Sequence, residues 1–295
     1  MTYVVGFSPR KGDYSAIALA CQLARSDRDD VHAVTVVPQS WGTPVVGDTD
    51  REFKLWAEEQ GAASVEEALA LLAEHPDIPS TASFAAGRSV PQTLLGRAEE
   101  LGAALIAVGS GDDGPSGMVQ VTSKTNRLLH SSRIPVAIAP RGYRSPPGAK
   151  VDRVTVGFRG DDATWTLLDQ VSAIARRVGA SLRLVTFAVR KSTMYPPRGV
   201  SDAEDMVHVQ WQEQARRELT EAIAHLRQSG FADDQVESQL AAARSWGGAM
   251  DALEWGRNDV LVVGSSSSHP LAQVFLGSSA AKILRNSPVP VIVVP

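Results

Sequence analysis

The chain has 295 residues, of which 43% are hydrophobic and 21% are charged, and its formal net charge is −4. This length suits two domains that each bury a core, and no apolar run approaches the roughly 20 residues of a membrane span. The mildly acidic balance and the absence of Lys/Arg clusters argue against nucleic-acid binding, because neutralising phosphates requires concentrated positive charge.

In chain order, the first half alternates apolar runs typical of buried strands with segments of helical periodicity. Strands are predicted over residues 3–7, 31–37, 80–87, 104–110 and 134–140, and helices over residues 14–26, about 51–74, 90–101 and about 123–131. Helical connections between strands imply a parallel sheet with helices on both faces, since such crossovers are right-handed.

The second half repeats this order of elements. Gly109 recurs 155 positions later as Gly264, and nearer the start Gly6 recurs 151 positions later as Gly157. Such self-similarity predicts a duplicated domain, so that each feature is present in two copies. The predicted division is a first domain, a linker rich in Pro, Gly and basic residues, and a second domain, over residues 1–141, 142–150 and 151–295.

The single cysteine, Cys21, cannot form an internal disulfide. It lies on an Ala/Leu-rich helical face, which favours a buried packing residue over a reactive thiol. The N-terminus begins directly with a strand pattern and has no signal-peptide architecture. Together these features predict a cytoplasmic protein.

Each half has an irregular stretch before its long helix, over residues 38–50 and 190–202. Both stretches follow a second strand and so belong to the carboxyl edge of the sheet, where ligands bind in open α/β folds. A mobile lid and a plain long loop both fit this position.

The strongest local motif follows the fourth strand of the second half. The apolar strand ends at Gly264 and opens into a Ser-rich loop, and Gly277 and Ser278 stand immediately before a helical pattern. Glycine admits close approach of backbone N–H groups to a ligand, and a helix start offers unpaired donors and the positive end of its dipole. A phosphate cradle and a simple turn in which Ser278 caps the last helix are both consistent with this spacing.

These residues resemble the universal stress protein family. Its members carry a glycine after the fourth strand, then two residues, a second glycine, nine residues, and Gly-Ser or Gly-Thr before a short helix and a Pro-Val-rich strand. Here Gly264, Ser267, Gly277 and Ser278 occupy those positions, with Ser267 in place of the second glycine. The resemblance extends over both halves and implies, in each, a doubly wound five-stranded parallel sheet of strand order 3-2-1-4-5.

Many members of that family bind ATP or another adenine nucleotide, and others bind none. The resemblance places the nucleoside at the first two strands and the phosphates at the motif. The implied contacts in this chain follow strands 1, 2 and 4 and the last helix start: Gly157, Phe158, Arg159, Phe187, Val263, Gly264, Ser266, Ser267, Gly277, Ser278 and Ser279. Phe187 would face the base, and Mg²⁺ would accompany the phosphates.

One departure concerns the end of the first strand, where nucleotide-binding members usually carry an aspartate. This chain has Arg159 there in the second half and Ser8 in the first half. The change removes a hydrogen-bond acceptor from the nucleoside end. Arg159 could pair with a phosphate or stack on a base, or be a solvated surface residue.

The first-half motif departs further. Thr122 stands where Gly277 stands in the second half, and Asp112 and Asp113 enter the loop. A carboxylate about 4 Å from a phosphate charge would repel it by roughly 4 kcal/mol at an effective dielectric near 20. The two aspartates could instead hold Mg²⁺, although adjacent surface aspartates usually form only a solvated loop.

Other candidate residues are weaker. His269 in the Ser-rich loop has no partner acid or nucleophile nearby in sequence, which favours a loop residue over a ligand contact. Trp56 and Trp211 recur at matched positions on long helices, which favours packing over ligand stacking. Hydrolase, P-loop and zinc-protease motifs are missing from the sequence, so no metal site and no enzymatic activity are predicted.

Two functions from different classes fit this sequence. The first is a nucleotide-responsive stress or regulatory protein, and the second is a ligand-free interaction module of the same fold. An ATP-consuming enzyme of a related superfamily is disfavoured, because FSPRKGD and FRGDD stand where its loops would follow the first strand.

The repeat also predicts an architecture. The closing strands of the two halves are edge strands by the family's strand order, and exposed apolar edges invite pairing. We expect them to meet antiparallel about a pseudo-twofold axis within one chain. With that interface filled, the chain should be a monomer or a homodimer.

Overall fold

The computed structural model describes residues 1–9, 14–39, 49–111, 114–190, 201–265 and 277–295. In the first half, strands and helices alternate as β1 (Thr2–Phe7), α1 (Ser15–Asp27), β2 (Asp30–Pro38), α2 (Thr49–Leu72), β3 (Ser80–Gly87), α3 (Val90–Glu100), β4 (Ala103–Gly109), α4 (Ser123–Ser131) and β5 (Val136–Ala139). The predicted elements of this half are all present, with ends that differ by no more than a few residues.

The second half has the same order. Its elements are β6 (Arg153–Gly157), α5 (Asp162–Val178), β7 (Ser181–Val189), α6 (Ser201–Gln228), β8 (Val236–Ala243), α7 (Trp246–Asp251), β9 (Asp259–Gly264), α8 (Ser278–Asn286) and β10 (Val291–Val294). The closing strands β5 and β10 are shorter than predicted from sequence, since prolines flank them and a proline has no N–H group to donate to a strand ladder.

The strands form one ten-stranded sheet in the order β3-β2-β1-β4-β5-β10-β9-β6-β7-β8. Each half is internally parallel and follows the order 3-2-1-4-5, which confirms the predicted fold class. The closing strands pair antiparallel, with Val291 opposite Ile138 and Val293 opposite Val136, as the repeat predicted. Their pairing removes two apolar edges that would otherwise be open to other chains.

Helices cover both faces of the sheet, and the strands between them are apolar because they are buried on both faces. All four residues of β5 are buried, and Val4, Val5, Val291 and Leu261 are fully buried. Cys21 on α1 is also fully buried, which confirms its packing role, and burial raises the pKa of its thiol to about 12. Among the helices in the described part of the chain, none combines the length and apolar character needed to cross a bilayer.

The halves also meet through α1 and α5. Arg177 on α5 donates from Nε and Nη2 to the two carboxylate oxygens of Asp27, both at 2.6 Å. Residues 142–150 form turns that lie on α1, where the backbone N–H of Val151 donates to Ser26 Oγ at 2.8 Å. Side-chain contacts therefore reinforce the strand pairing that joins the two halves.

Candidate ligand sites at the carboxyl edge of the sheet

The carboxyl ends of β6 and β9 lie side by side in the second half. A Cβ placed on Gly157 would stand 3.4 Å from Val263 Cγ1, so the glycine lets the two strands and their side chains pack closely. Val263 and Phe158 are buried, with exposed fractions of 3% and 1%, and the Phe158 ring packs edge-on against Trp165 at 5.2 Å. Their side chains are therefore part of the core, and only backbone groups could face a ligand there.

The start of α8 has bare backbone in the described part of the chain. Gly277 occupies the cap position with φ −57° and ψ 154° and has no side chain to accept from the first-turn amides. Its carbonyl accepts from Ala281 at 2.9 Å, which starts the helix. Ser278 is exposed and Ser279 is half-buried. An N-terminus of this kind presents donors and positive dipole charge to an anion.

The start of α4, in the first half, differs from that of α8. Thr122 caps this helix, with its hydroxyl oxygen accepting from the backbone N–H of Thr125 at 3.1 Å. The same hydroxyl lies 2.9 Å from the Thr125 hydroxyl. Thr122 therefore places a β-branched side chain where the second half has Gly277, and its hydroxyl occupies one of the first-turn donors.

The described residues of the loop between β4 and α4 hydrogen-bond to one another and to β5. The Ser110 hydroxyl donates to the carbonyl of Ala139 at 2.6 Å and accepts from the backbone N–H of Gln120 at 3.0 Å. The Gly111 N–H donates to the Gln120 carbonyl at 3.1 Å. A Cβ on Gly111 would stand 2.8 Å from Thr122 Cγ2, so a glycine is needed for this close approach.

At the end of β6, charged side chains occupy the surface. Arg159 forms an ion pair with Asp161 at 2.7 Å, and Asp161 caps α5 by accepting from Thr164 N at 2.9 Å. The pKa of Asp161 lies below its ordinary value: burial raises it, but the hydrogen bonds from Thr164 and the charge of Arg159 outweigh burial. Arg159 thus has an intramolecular partner and is more than half exposed.

A second carboxylate reaches this loop from α6. Gly160 has φ +78°, a left-handed conformation that favours glycine, and a Cβ there would overlap the carboxylate of Glu218. Glu218 is half-buried and accepts from Gln214 Nε2 at 2.9 Å. An acidic group therefore lies at the end of strand β6 although the strand itself carries no aspartate there.

Aromatic side chains connect β7 to α8. The rings of Phe187 and Trp246 are 5.9 Å apart at an interplanar angle of 38°, and the Lys282 ammonium lies 5.7 Å from the Trp246 ring centre. Phe187 is half-buried, so part of its ring is covered by Trp246 and part remains accessible. The three side chains form an aromatic and cationic cluster beside the second-half motif.

The corresponding edge of the first half contains a cavity of about 1230 Å³. It lies over the ends of β1, β2 and β4. Residues of α2 and α4 line it, and Trp56 is one of them. The exposed fractions of Trp56 and Trp211 are 40% and 45%. Neither tryptophan is a core residue, but both rings pack on a neighbour of their own helix, Trp56 on Phe53 at 5.6 Å and Trp211 on His208 at 6.2 Å.

Several sequence candidates lie outside the described residues: Ser266, Ser267, His269, Asp112, Asp113 and most of the two long loops. Within the described ranges, no cluster of three or more His, Cys, Asp or Glu side chains could hold a metal ion.

Sequence reasoning missed Glu218, Trp246 and Lys282. A position-by-position comparison of the halves could have found two of them. Seven residues beyond the recurrent tryptophan, the second half has Glu218 and the first half has Ala63. After the serine that precedes the third helix, the second half has Trp246 and the first half has Val90. The sequence comparison gives no such signal for Lys282, because its place in the cluster depends on its contact with the Trp246 ring.

Both halves of the chain are similar in sequence to known proteins. Residues 2–140 and 150–295 each match the profile of the Universal stress protein family. The sequence is 38% identical, over 296 residues and the full length of both chains, to a universal stress protein of Mycobacterium tuberculosis strain H37Rv and to one of Mycobacterium bovis.

Solved structures share the fold at lower identity. A universal stress protein from Archaeoglobus fulgidus is 17% identical with a TM-score of 0.64, and the match covers 99% of this chain and 97% of that one. A protein of unknown function from Pseudomonas aeruginosa PAO1 is 15% identical with a TM-score of 0.58, covering 99% and 92%. At these identities the likeness concerns the fold alone.

Proposed function

The chain belongs to the universal stress protein family, and from this membership we propose that it is a non-enzymatic regulatory protein that binds an adenine nucleotide in its second half. The phosphates would lie at Gly277, Ser278 and Ser279, and ATP with Mg²⁺ is the first ligand to test. The sequence motif at Gly264 and Gly277 and the start of α8 support this proposal.

The observation that carries the proposal is the difference between the two helix starts. Gly277 leaves the first-turn amides of α8 uncapped by its own side chain, whereas Thr122 uses an amide of α4. A phosphate needs several such donors at once, and the dipole adds roughly 0.3–1 kcal/mol per charge. The second half is therefore the better phosphate site.

Glu218 supports the nucleoside end of the proposed site. Its carboxylate lies against the backbone of Gly160, beside the end of β6. Ribose hydroxyls need an acceptor, and a carboxylate supplies the strongest hydrogen bonds to them. We assign this role to Glu218, in place of the strand-1 aspartate that the chain lacks, while Phe187 and Trp246 offer ring faces to the base.

Calorimetric titration of the full chain with ATP and Mg²⁺ tests the proposal, together with nucleotide analysis of the protein as purified. We expect one site per chain. Glu218→Gln should weaken binding about tenfold, or about 1.4 kcal/mol, whereas Glu213→Gln, an exposed carboxylate on the same helix, should leave it unchanged. Two equivalent sites, or equal effects of the two substitutions, would contradict this assignment.

A ligand-free interaction module is the second candidate, and the ion pair between Arg159 and Asp161 favours it. In that pair the Arg159 guanidinium already has a carboxylate partner, which a phosphate would have to displace. Absence of nucleotide from the purified protein and of any heat of binding would support this candidate instead.

We also propose that the protein acts in the cytoplasm as a monomer or homodimer. Its single buried cysteine needs no oxidising compartment, and the pairing of β5 with β10 satisfies within one chain the edges that single-domain copies would share.

A further inference from the structure

The first-half cavity has an apolar interior formed by the sheet and the helices on both sides of it. Its floor includes Phe7, Ile17, Val34, Leu94 and Leu128, all less than a tenth exposed, with Val108 beside them. At about 1230 Å³ the space exceeds what most small-molecule sites require. An apolar ligand body would lose water contact on entering it, which favours binding by roughly 25 cal/mol per Å² buried.

The rim of the cavity is cationic. Arg88, Lys124 and Arg127 line it and are exposed, and within the described part of the chain none of the three forms an ion pair. The carboxylate of Glu67, which also lines the cavity, accepts from the Tyr14 hydroxyl at 3.0 Å. Among the described lining residues, the rim therefore offers three positive charges and one negative charge, and favours an anionic group at the mouth.

The same edge is a poor triphosphate site. Thr122 uses a first-turn amide of α4, and the Ser110 hydroxyl, which a phosphate could have used, is bonded to Ala139 and Gln120. A chain of phosphates would find few free donors among the described residues of this edge, whereas one anionic group needs only the rim cations.

From the apolar interior and the cationic rim we propose that the first-half cavity is a separate ligand site for an amphipathic monoanion, of the class of a medium-chain carboxylate. The apolar body lies over the carboxyl ends of β1, β2 and β4, with α2 beside it, and the carboxylate meets Lys124 and Arg127 at the start of α4. The two halves then bind different ligands, and this site does not depend on nucleotide binding in the second half.

The probes are 8-anilinonaphthalene-1-sulfonate, a fluorescent amphipathic monoanion, and laurate as its competitor. Titration of the full chain should reveal one saturable site per chain from which laurate displaces the dye. Dodecanol has the same chain length without the charge and should compete at least tenfold more weakly. Equal competition by laurate and dodecanol would overturn the role of the rim cations.

Two adjacent alanines on α2 provide a matched pair. Ala63 lines the cavity, whereas the neighbouring Ala62 is exposed and does not. Ala63→Trp should fill the space and weaken laurate binding at least tenfold, and Ala62→Trp should change it less than twofold. Thermal unfolding of both variants checks that the helix is retained. Equal effects of the two substitutions would place the dye elsewhere and overturn the proposal.

A charge variant provides a readout that does not rely on filling the space. Lys124→Gln combined with Arg127→Gln should lower laurate affinity about tenfold and leave dodecanol unaffected. Arg133→Gln, an exposed cation just beyond α4, is the control and should have no effect. Unchanged laurate affinity in the double variant would contradict the proposal.

ATP distinguishes this site from the proposed nucleotide site. Saturating ATP should not displace the dye, and Gly277→Val should leave laurate binding intact. If ATP fails to bind at all, the carboxylate site still stands. If ATP displaces the dye and Ala63→Trp abolishes ATP binding, the cavity is a nucleotide site and this proposal is wrong.

Discussion

The helices α4 and α8 are equivalent elements of the two halves. Their carboxyl ends make the same hydrogen bonds, whereas their starts differ. At their carboxyl ends Ser132 and Ser287 make the same bonds, donating to the carbonyls of Ile134 and Val289 at 2.6 and 2.8 Å. At their starts one helix is capped by a threonine and the other begins at a bare glycine. The end that positions the closing strand was retained after duplication, while the ligand edge diverged.

The strand ends beside these helices diverged in the same manner. Among the described residues, the first half has an open cavity whose rim cations form no ion pair, while the second half has Glu218 against Gly160 and Lys282 on Trp246. The two larger apolar core clusters each contain residues of both halves, one cluster on each face of the sheet. A duplicated fold thus preserves packing in both copies and leaves each edge free to acquire its own chemistry.

The largest expected effect follows from placing a side chain at the start of α8. Gly277→Val should weaken ATP binding at least about 100-fold, or about 2.7 kcal/mol, because the new side chain would occupy the proposed phosphate position. The backbone there, at φ −57° and ψ 154°, accommodates valine. Calorimetry should detect the loss, and Thr122→Val should leave ATP affinity within twofold. Comparable losses in the two variants would break the distinction between the halves.

The next effect concerns the bond that joins the halves. Asp27 is only 6% exposed, and Arg177→Ala would leave it with Tyr3 as its remaining strong donor. The free energy of unfolding at pH 7 should fall by about 1–3 kcal/mol, measured by urea denaturation. Arg216→Ala, an exposed cation on α6, should have little effect.

This bond also predicts a pH dependence. Burial raises the pKa of Asp27, but hydrogen bonds from Arg177 and Tyr3 outweigh it and hold that pKa below its ordinary value. Its contribution to stability is therefore present above the unfolded pKa of about 3.9 and is lost as the pH falls through the lower folded value. The difference between wild type and Arg177→Ala should shrink below about pH 4. A difference that grows on acidification would contradict the assignment.

A smaller effect is expected at the cap of α4. Thr122→Ala removes the acceptor for the Thr125 amide and should lower the free energy of unfolding by about 1 kcal/mol. In the second half, Gly277→Ser introduces such an acceptor, and it should change stability by only a few tenths of a kcal/mol while weakening ATP binding. Denaturation and calorimetry on the same two variants would separate the stabilising cap from the ligand-binding start.

The smallest effect concerns assembly. Because β5 and β10 cover one another within the chain, neither half needs a second copy at that edge. Light scattering should give the mass of a monomer or a homodimer. A hexamer would show that the halves do not satisfy one another and would contradict this view of the duplication.

Periodicity and repetition in the sequence determined the strands, the helices and their order. Residues 80–87 and 123–131 have the predicted bounds, because alternation between buried strand and amphipathic helix is a local property of the chain. The family's strand order predicted that the two closing strands would meet, since an apolar edge must be covered. The anion site proposed at Gly277 and Ser278 stays a prediction from sequence, since small residues before a helix are consistent with a phosphate cradle and with a simple turn.

Tertiary structure decided which side chains reach the sites. Phe158 and Val263 were predicted as ligand contacts, but their side chains lie in the core, because helices cover both faces of the sheet. Glu218 is 58 residues from Gly160 and lies against it only because α6 packs on β7 and β8, next to the end of β6. The cavity beside Trp56 likewise exists only because the strand ends and the helices around them leave a space between them. Local patterns cannot encode such distances, because they depend on how the elements pack.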